Sequence, residues 1–468
     1  MNRLRFVLAT ALFAAVPVTL VTPAIAQPEG APPPAEEPAT AAAAAAPPAA
    51  GSPAAAGARR ITLPEAIALA TDGNIQITVA KEQLRASELD LAGTKTYRLP
   101  GLSVSGGIQV WNNELTFEIA PGAPAIVGRN QVTGSVAVQV AQPITATFLL
   151  GYLLDLKEAG LAAERAQLDV TKLDVAYQVA EAYIGALQAR TLKTIAETSV
   201  AQFDANIARA QILKQGGILD DIDILRLQAS RDAVQQQVLE AEVAAETATR
   251  GLGLLLGLPD GTRLELVDVD PTPPPMGWTE DDAVAAAHAA RPELRVAASR
   301  VDQADANVIV TKGEYLPDIA AVANYTHTEG QGAFAQKDAA FVGLSLSWNL
   351  WDWGKRGKDV EQARSGVRQA KAYQAFTEDQ IALDVRAKWL AADAARRSRE
   401  VAASGLRAAE EAHRLQQVLF DQGAATTTDV LDAEAEVSRA RSQETISRYQ
   451  YLVKWMALVR AVGEMPQP

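Results

Sequence analysis

The chain has 468 residues, 48% of them hydrophobic, no cysteine and a formal net charge of −13. The absence of cysteine excludes a disulfide framework, a thiolate metal site, a cysteine nucleophile and a lipid carried on an N-terminal cysteine. The acidic balance argues against a nucleic-acid partner, which needs clustered Lys and Arg, and suits an extracytoplasmic protein that handles neutral or cationic solutes.

In chain order, residues 1–26 read as a secretory signal. Arg3 and Arg5 form the basic start, Phe6 to Val21 the apolar run, and Ala24-Ile25-Ala26 the cleavage site. The alternative is a membrane anchor, but a spanning helix needs about 20 apolar residues and Pro17 interrupts this shorter run. Residues 27–58 are almost entirely Pro, Ala and Gly, a composition that cannot bury a core and predicts a disordered spacer.

The rest of the chain is written twice. Gly160 and Gly366, Gly217 and Gly423, Asp223 and Asp429, and Gly257 and Gly463 all stand 206 residues apart (429 less 223). Leu99-Pro100 and Leu316-Pro317 mark a second, wider spacing of 217 (316 less 99). The first repeat is expected over 59–267, with a β-hairpin at about 102–142. A Pro-rich connector follows at 268–278, and the second repeat occupies 279–464, with a hairpin at about 318–350. Helices are expected over 63–96, with a possible break near Asp72-Gly73, and over 145–214, onward to about 256, 279–314, 355–421 and 427–462. Helices this long point to coiled-coil packing. "VTGSVAVQVAQ" and "FVGLSLSWNL" switch to strand alternation, paired with "LSVSGGIQV" and "IAAVANYTH".

Two hairpins supply four strands, too few to close a spanning barrel, so either several chains share one barrel or the strands form a small soluble sheet on a helical domain. Trp348, Trp351 and Trp353, followed by Lys355, Arg356 and Lys358, suit a membrane interface, with rings at headgroup level and cations among lipid phosphates; packing of a sheet-to-helix corner is the other reading. Between the last two helices "LFDQGAATTTDVLDAE" turns at Gln422-Gly423 and restarts with Asp429 and Asp432 on one helix face. Asp429 there also suits a helix N-terminus after a threonine cap.

The duplicated halves, the Leu-Pro before each hairpin, "SLSWNLWDWG" and "FDQGAATTTDVLDAEAEVSRARS" together resemble the TolC-like outer-membrane efflux proteins over roughly residues 60–464. The resemblance implies an α+β membrane protein, with a homotrimer whose chains each give four strands to one 12-stranded outer-membrane barrel. Their long helical hairpins would form a periplasmic α-barrel. It also implies an exit duct for efflux or type I secretion, fed by a periplasmic adaptor (membrane fusion protein) and an inner-membrane pump of the RND or ABC type. On this resemblance Gly216, Gly217, Gln422 and Gly423 are the adaptor-docking tips, Asp429, Asp432 and Asp223 line the constriction, and Phe420 matches an aromatic gate position. Ala425 departs from the family, which has a basic residue there, so the resemblance does not carry over that closing ion pair and leaves closure to helix packing alone, or to Lys214 and Arg226, which lie nearby in the first half.

Neither a cofactor nor a catalytic residue is expected. His288, His327 and His413 are far apart and in no metal-ligand spacing. The chain has no P-loop or GxSxG, and "GLGLLLG" misses the dinucleotide spacing. The rival reading is a soluble periplasmic coiled-coil adaptor or scaffold.

Overall fold

A computed structural model describes residues 59–466 except 121, 218, 260, 270–275 and 333–334. The secretory signal, the whole Pro/Ala-rich spacer and much of the Pro-rich connector lie outside the described residues.

Thr62 starts the helical part. Its hydroxyl accepts from the Glu65 N–H, while the Glu65 carboxylate accepts from the Thr62 N–H at 2.8 Å, a capping box. Helix α1 (Leu63–Gly73) then stops at Asn74, whose side chain caps α2 (Ile75–Lys95) and donates to the Leu255 carbonyl at 2.9 Å. After strands β2 (Gly101–Val110), β3 (Leu115–Phe117) and β4 (Ile126–Pro143) comes α3 (Ile144–Gln215). Its 72 residues span about 108 Å at 1.5 Å per residue. Helix α4 (Asp221–Leu255) returns alongside it.

The second half runs α5 (Glu280–Ala290), α6 (Pro292–Lys312), β6 (Asp318–Gln331), β7 (Asp338–Ser347), α7 (Lys355–Asp421) and α8 (Thr427–Val462). Three expectations change. The single helix over 279–314 is split, because Arg291 precedes a proline and takes the extended backbone that this requires. Strand β4 is 18 residues long, well beyond the expected alternating stretch, and carries the additional short strand β3. Strand β7 ends at Ser347, so Trp348 and Leu350 fall in the corner that follows it.

The two hairpins join through β4 and β6 into one antiparallel sheet of order β2-β4-β6-β7, with β3 beside β4. Nearer the sheet the helices pack in the order α2-α3-α6-α7, and toward the hairpin tips in the order α4-α3-α8-α7. Both rows therefore end at α7 on one side and at α2 or α4 on the other.

The core lies where these rows meet. Strands β1 (Arg59–Ile61) and β5 (Leu264–Leu266) form a short parallel pair over α3. The fully buried Tyr183 lies beneath, its hydroxyl within hydrogen-bonding distance of both the Ile61 and Val267 carbonyls, at 2.8 and 2.7 Å. Burial pushes that phenol up to about 12, so it stays a donor. Gly257, with φ 69°, closes the same region: a Cβ there would stand 2.2 Å from the Gly73 carbonyl oxygen. Charge ties reach outward from this core. Arg460 of α8 bonds Asp174 of α3 at 2.9 Å and Glu293 of α6 at 3.2 Å, and the buried Arg291 bonds Asp384 of α7 at 2.7 Å.

Tyr183→Phe keeps the ring but leaves two carbonyls with no hydroxyl to share. It is expected to cost about 1–3 kcal/mol, read as a lower thermal unfolding midpoint of detergent-purified protein. An unchanged midpoint would refute the tie.

Candidate functional site

Both hairpin tips are built by helix capping. In the second half α7 ends at Asp421, and Gly423 takes φ 72° to reverse the chain. Thr426 then caps α8: its hydroxyl accepts from the Asp429 N–H, and Asp429 Oδ2 accepts from the Thr426 N–H at 2.8 Å and from its hydroxyl at 2.7 Å. These bonds, the hydroxyl's first, hold the Asp429 carboxyl below the usual aspartate range. In the first half Gly217 has φ 78°, and Asp223 Oδ2 accepts from the Asp220 N–H at 3.3 Å. Asp223 and Asp429 are thus both third residues of a helix.

The two tips differ in charge pairing. At the first, Lys214 reaches Asp221, and Arg226 Nη1 lies 4.0 Å from Asp223 Oδ1. At the second, with Ala425 in the turn, no Lys or Arg among the described residues comes within 4.0 Å of Asp429 or Asp432, and both aspartates are exposed. Gly216, Gln422 and Gly423 are exposed at the turns. Phe420 is not: it is 4% exposed, packed inside the chain, so here it fills a core position.

The sheet sorts its residues by face. Cross-strand partners share a face, and the register Leu102↔Val140, Val104↔Val138, Ala323↔Val342, Ala321↔Leu344 and Ile319↔Leu346 gathers one apolar side. Ser103↔Gln139, Gln109↔Thr133 and Asn324↔Gln139 mark the polar one. All ten residues of β2 and all ten of β7 are exposed, at the two ends of the sheet.

Below β7, Trp348, Trp351 and Trp353 are 52%, 72% and 89% exposed. The corner itself is fastened by Asp352, whose carboxylate accepts from the Gly354 N–H at 3.0 Å and from Arg356 Nε at 2.6 Å. Trp353, with φ 58°, is the only non-glycine residue of positive φ among those described, and its ring meets Trp351 edge to face at 5.9 Å. Tyr97, Phe148, Tyr152 and Tyr315 are exposed at the same junction of strands and helices.

Glu434, read from the sequence only as the end of the tip motif, is 1% exposed and faces His413. The helical face could have revealed it, because Glu434 lies four residues after the buried Val430 and three before the buried Val437. Among the described residues no group of three or more His, Cys, Asp or Glu is placed to hold a metal, and no helix is long and apolar enough to cross a membrane.

Residues 283–464 match the outer membrane efflux protein family. The outer membrane efflux protein BepC of Brucella suis biovar 1 (strain 1330) is 23% identical over 411 residues, 86% of each chain. The solved outer-membrane channel OprN shares the fold at TM-score 0.69 and 19% identity, over 87% of this chain and 91% of its own. The open-state MtrE outer membrane channel of Neisseria gonorrhoeae does so at TM-score 0.67 and 17% identity, over 86% and 89%.

Thr426→Ala removes the cap and is expected to cost about 1 kcal/mol locally, seen as roughly fivefold faster amide exchange confined to the first turn of α8. Equal protection in the two proteins would show that the cap contributes nothing.

Proposed function

We propose that this chain is a TolC-like outer-membrane efflux protein, the outer-membrane exit duct of a tripartite efflux or secretion system, and that it works as a homotrimer. The observation that carries the reading is the open sheet. It has one apolar face, one polar face and two unpaired edges, β2 and β7, that run in opposite directions. A neighbouring copy can therefore set its β2 against this chain's β7 as a further antiparallel pair. Three copies give twelve strands, enough to close a barrel in lipid with no exposed edge. The helical rows end on the same two flanks, so the rotation that closes the sheet also brings α7 of one copy against α2 and α4 of the next.

In this arrangement the apolar face meets lipid, the polar face lines the duct, and the exposed tryptophans lie at headgroup level on the periplasmic side. The helices extend into the periplasm. The tips at Gly216-Gly217 and Gln422-Gly423 receive a periplasmic adaptor, which an inner-membrane pump of the RND or ABC type loads. Threefold symmetry would set Asp429 and Asp432 of each copy around one axis as a ring of carboxylates that attracts cations, with Asp223 alongside. Phe420 supports the tip from within the packing.

The reading is tested with purified protein in planar bilayers. Wild type is expected to give discrete, cation-preferring steps. The double substitution Asp429→Ala/Asp432→Ala should keep the steps but lower the cation preference roughly tenfold, the low end of counter-ion enrichment in one-signed clefts. Unchanged selectivity would remove the ring and keep the duct. A soluble monomer in the periplasmic fraction would overturn the duct itself in favour of a scaffold.

The membrane-interface role has its own check: Trp351→Ala/Trp353→Ala should reduce heat-resistant trimer in outer-membrane fractions severalfold while leaving helical circular dichroism unchanged. A trimer yield equal to that of wild type would assign the rings no role at the interface.

A further inference from the structure

Between the tips and the core, the α7–α8 hairpin meets α3 across a seam that is polar where most helix contacts here are apolar. Ser199 and Ser438 hydroxyls lie 3.1 Å apart, and Gln417 donates to Asn206 at 3.2 Å. At the centre is Glu434, on α8 and 1% exposed, with its Oε2 2.7 Å from His413 Nε2 on α7. The two atoms are in contact but misaligned for a hydrogen bond, so neither has a well-directed partner. The Gln202 amide of α3, turned with its nitrogen toward the carboxylate, donates to Glu434 Oε1 at 2.5 Å and accepts from Arg441 at 3.3 Å. Arg441 in turn holds Glu410 at 3.2 Å. The charged and titratable groups around Glu434 are therefore His413 and Glu410 from α7 and Arg441 from α8, whereas α3 presents the uncharged Gln202, Ser199 and Asn206.

A carboxylate in this position is costly when ionised, because burial removes its water and no partner fully replaces it. Desolvation holds Glu434 above the ordinary value of 4.5, with His413 and Arg441 opposing. If the seam parts, water reaches the group and its proton affinity falls back toward the ordinary value. The packed seam thus binds a proton more tightly than the parted one. Acid stabilises packing, and that stabilisation is lost as pH rises through the raised value.

We propose that the buried His413–Glu434 pair, bridged to α3 by Gln202, is a proton-operated latch: proton uptake on the Glu434 carboxylate draws the α7–α8 hairpin against α3, and proton release loosens it. The consequence for passage rests on the duct reading; the latch itself does not.

The test is hydrogen–deuterium exchange on the full-length protein in detergent, corrected for intrinsic rates, from about pH 7.5 down to about pH 4, below the ordinary glutamate value. Protection over 199–210 and 430–442 should rise on acidification, by about tenfold for each pH unit separating the proton affinities of the packed and parted seams. Glu434→Gln should hold the protected level at every pH. A flat wild-type profile, or a Glu434→Gln protein that keeps the wild-type slope, overturns the latch. Gln202→Leu supplies an independent arm: the slope should persist in 430–442 and vanish from 199–210, and a slope surviving in both refutes the bridge. Loss of bilayer conductance with these slopes intact would count against the duct and not against the latch.

Discussion

An antiparallel sheet with unpaired edges cannot remain open in lipid, and most of the proposed assembly follows from that constraint. Each backbone N–H or C=O left unpaired in the hydrocarbon costs several kcal/mol, and β2 and β7 each present a full ten-residue edge. An even number of antiparallel strands leaves edges that run in opposite directions, so identical copies can pair edge to edge without reversing any chain. A duplicated hairpin supplies such a number directly. The helical rows, which end on the same flanks as the sheet, would make the proposed closure one operation for both layers.

Within one chain the internal cohesion comes from the middle, away from the flanks on which the proposed trimer would pair. There Tyr183, Ile61, Leu252, Leu256 and Met456 are essentially buried, Arg460 ties α8 to α3 of the other half, and Arg291 ties the α5–α6 joint to α7 within the second half. Toward the tips the seam between halves trades apolar contact for hydroxyl, amide and carboxylate pairs, with the small cluster around Phe203 and Leu227 as its apolar remnant. Polar pairs exchange with water at modest net cost, whereas apolar surface does not. The gradient therefore concentrates adaptability at the hairpin tips, where the proposed duct would admit substrate, and keeps the strand-to-helix junction firm.

Periodicity made the long helices and the strand alternation legible in the sequence, since both are repeated many times over. What escaped were features decided by one residue or by a distant partner. Pro292 splits a pattern that otherwise reads as one helix. The extension of β4 depends on its partner strands β3 and β6, which no local pattern in β4 announces. Glu434 and Phe420 were legible as types but not as positions. An acid reads as solvated and an aromatic beside a turn reads as a gate until the helical face of Val430 and Val437 is followed, or the ring is seen packed. The tip acids were visible as a motif, but their capping bonds emerge only from the backbone geometry.

Those capping bonds bear on the proposed ring. Six carboxylates around one axis repel each other and raise one another's affinity for protons, which would tend to neutralise the ring and weaken its hold on cations. Asp429 is placed against that tendency. As the third residue of α8 it sits in the positive end of the helix dipole and accepts from the Thr426 N–H and hydroxyl, and those bonds favour its charged form. Capping and cation attraction, read from the sequence as rival explanations, thus reinforce one another: the cap keeps the carboxylate ionised in the crowding that threefold symmetry would impose. Asp432, one turn further in, accepts no such capping bonds, so the support that the cap gives to the proposed ring is concentrated at the tip.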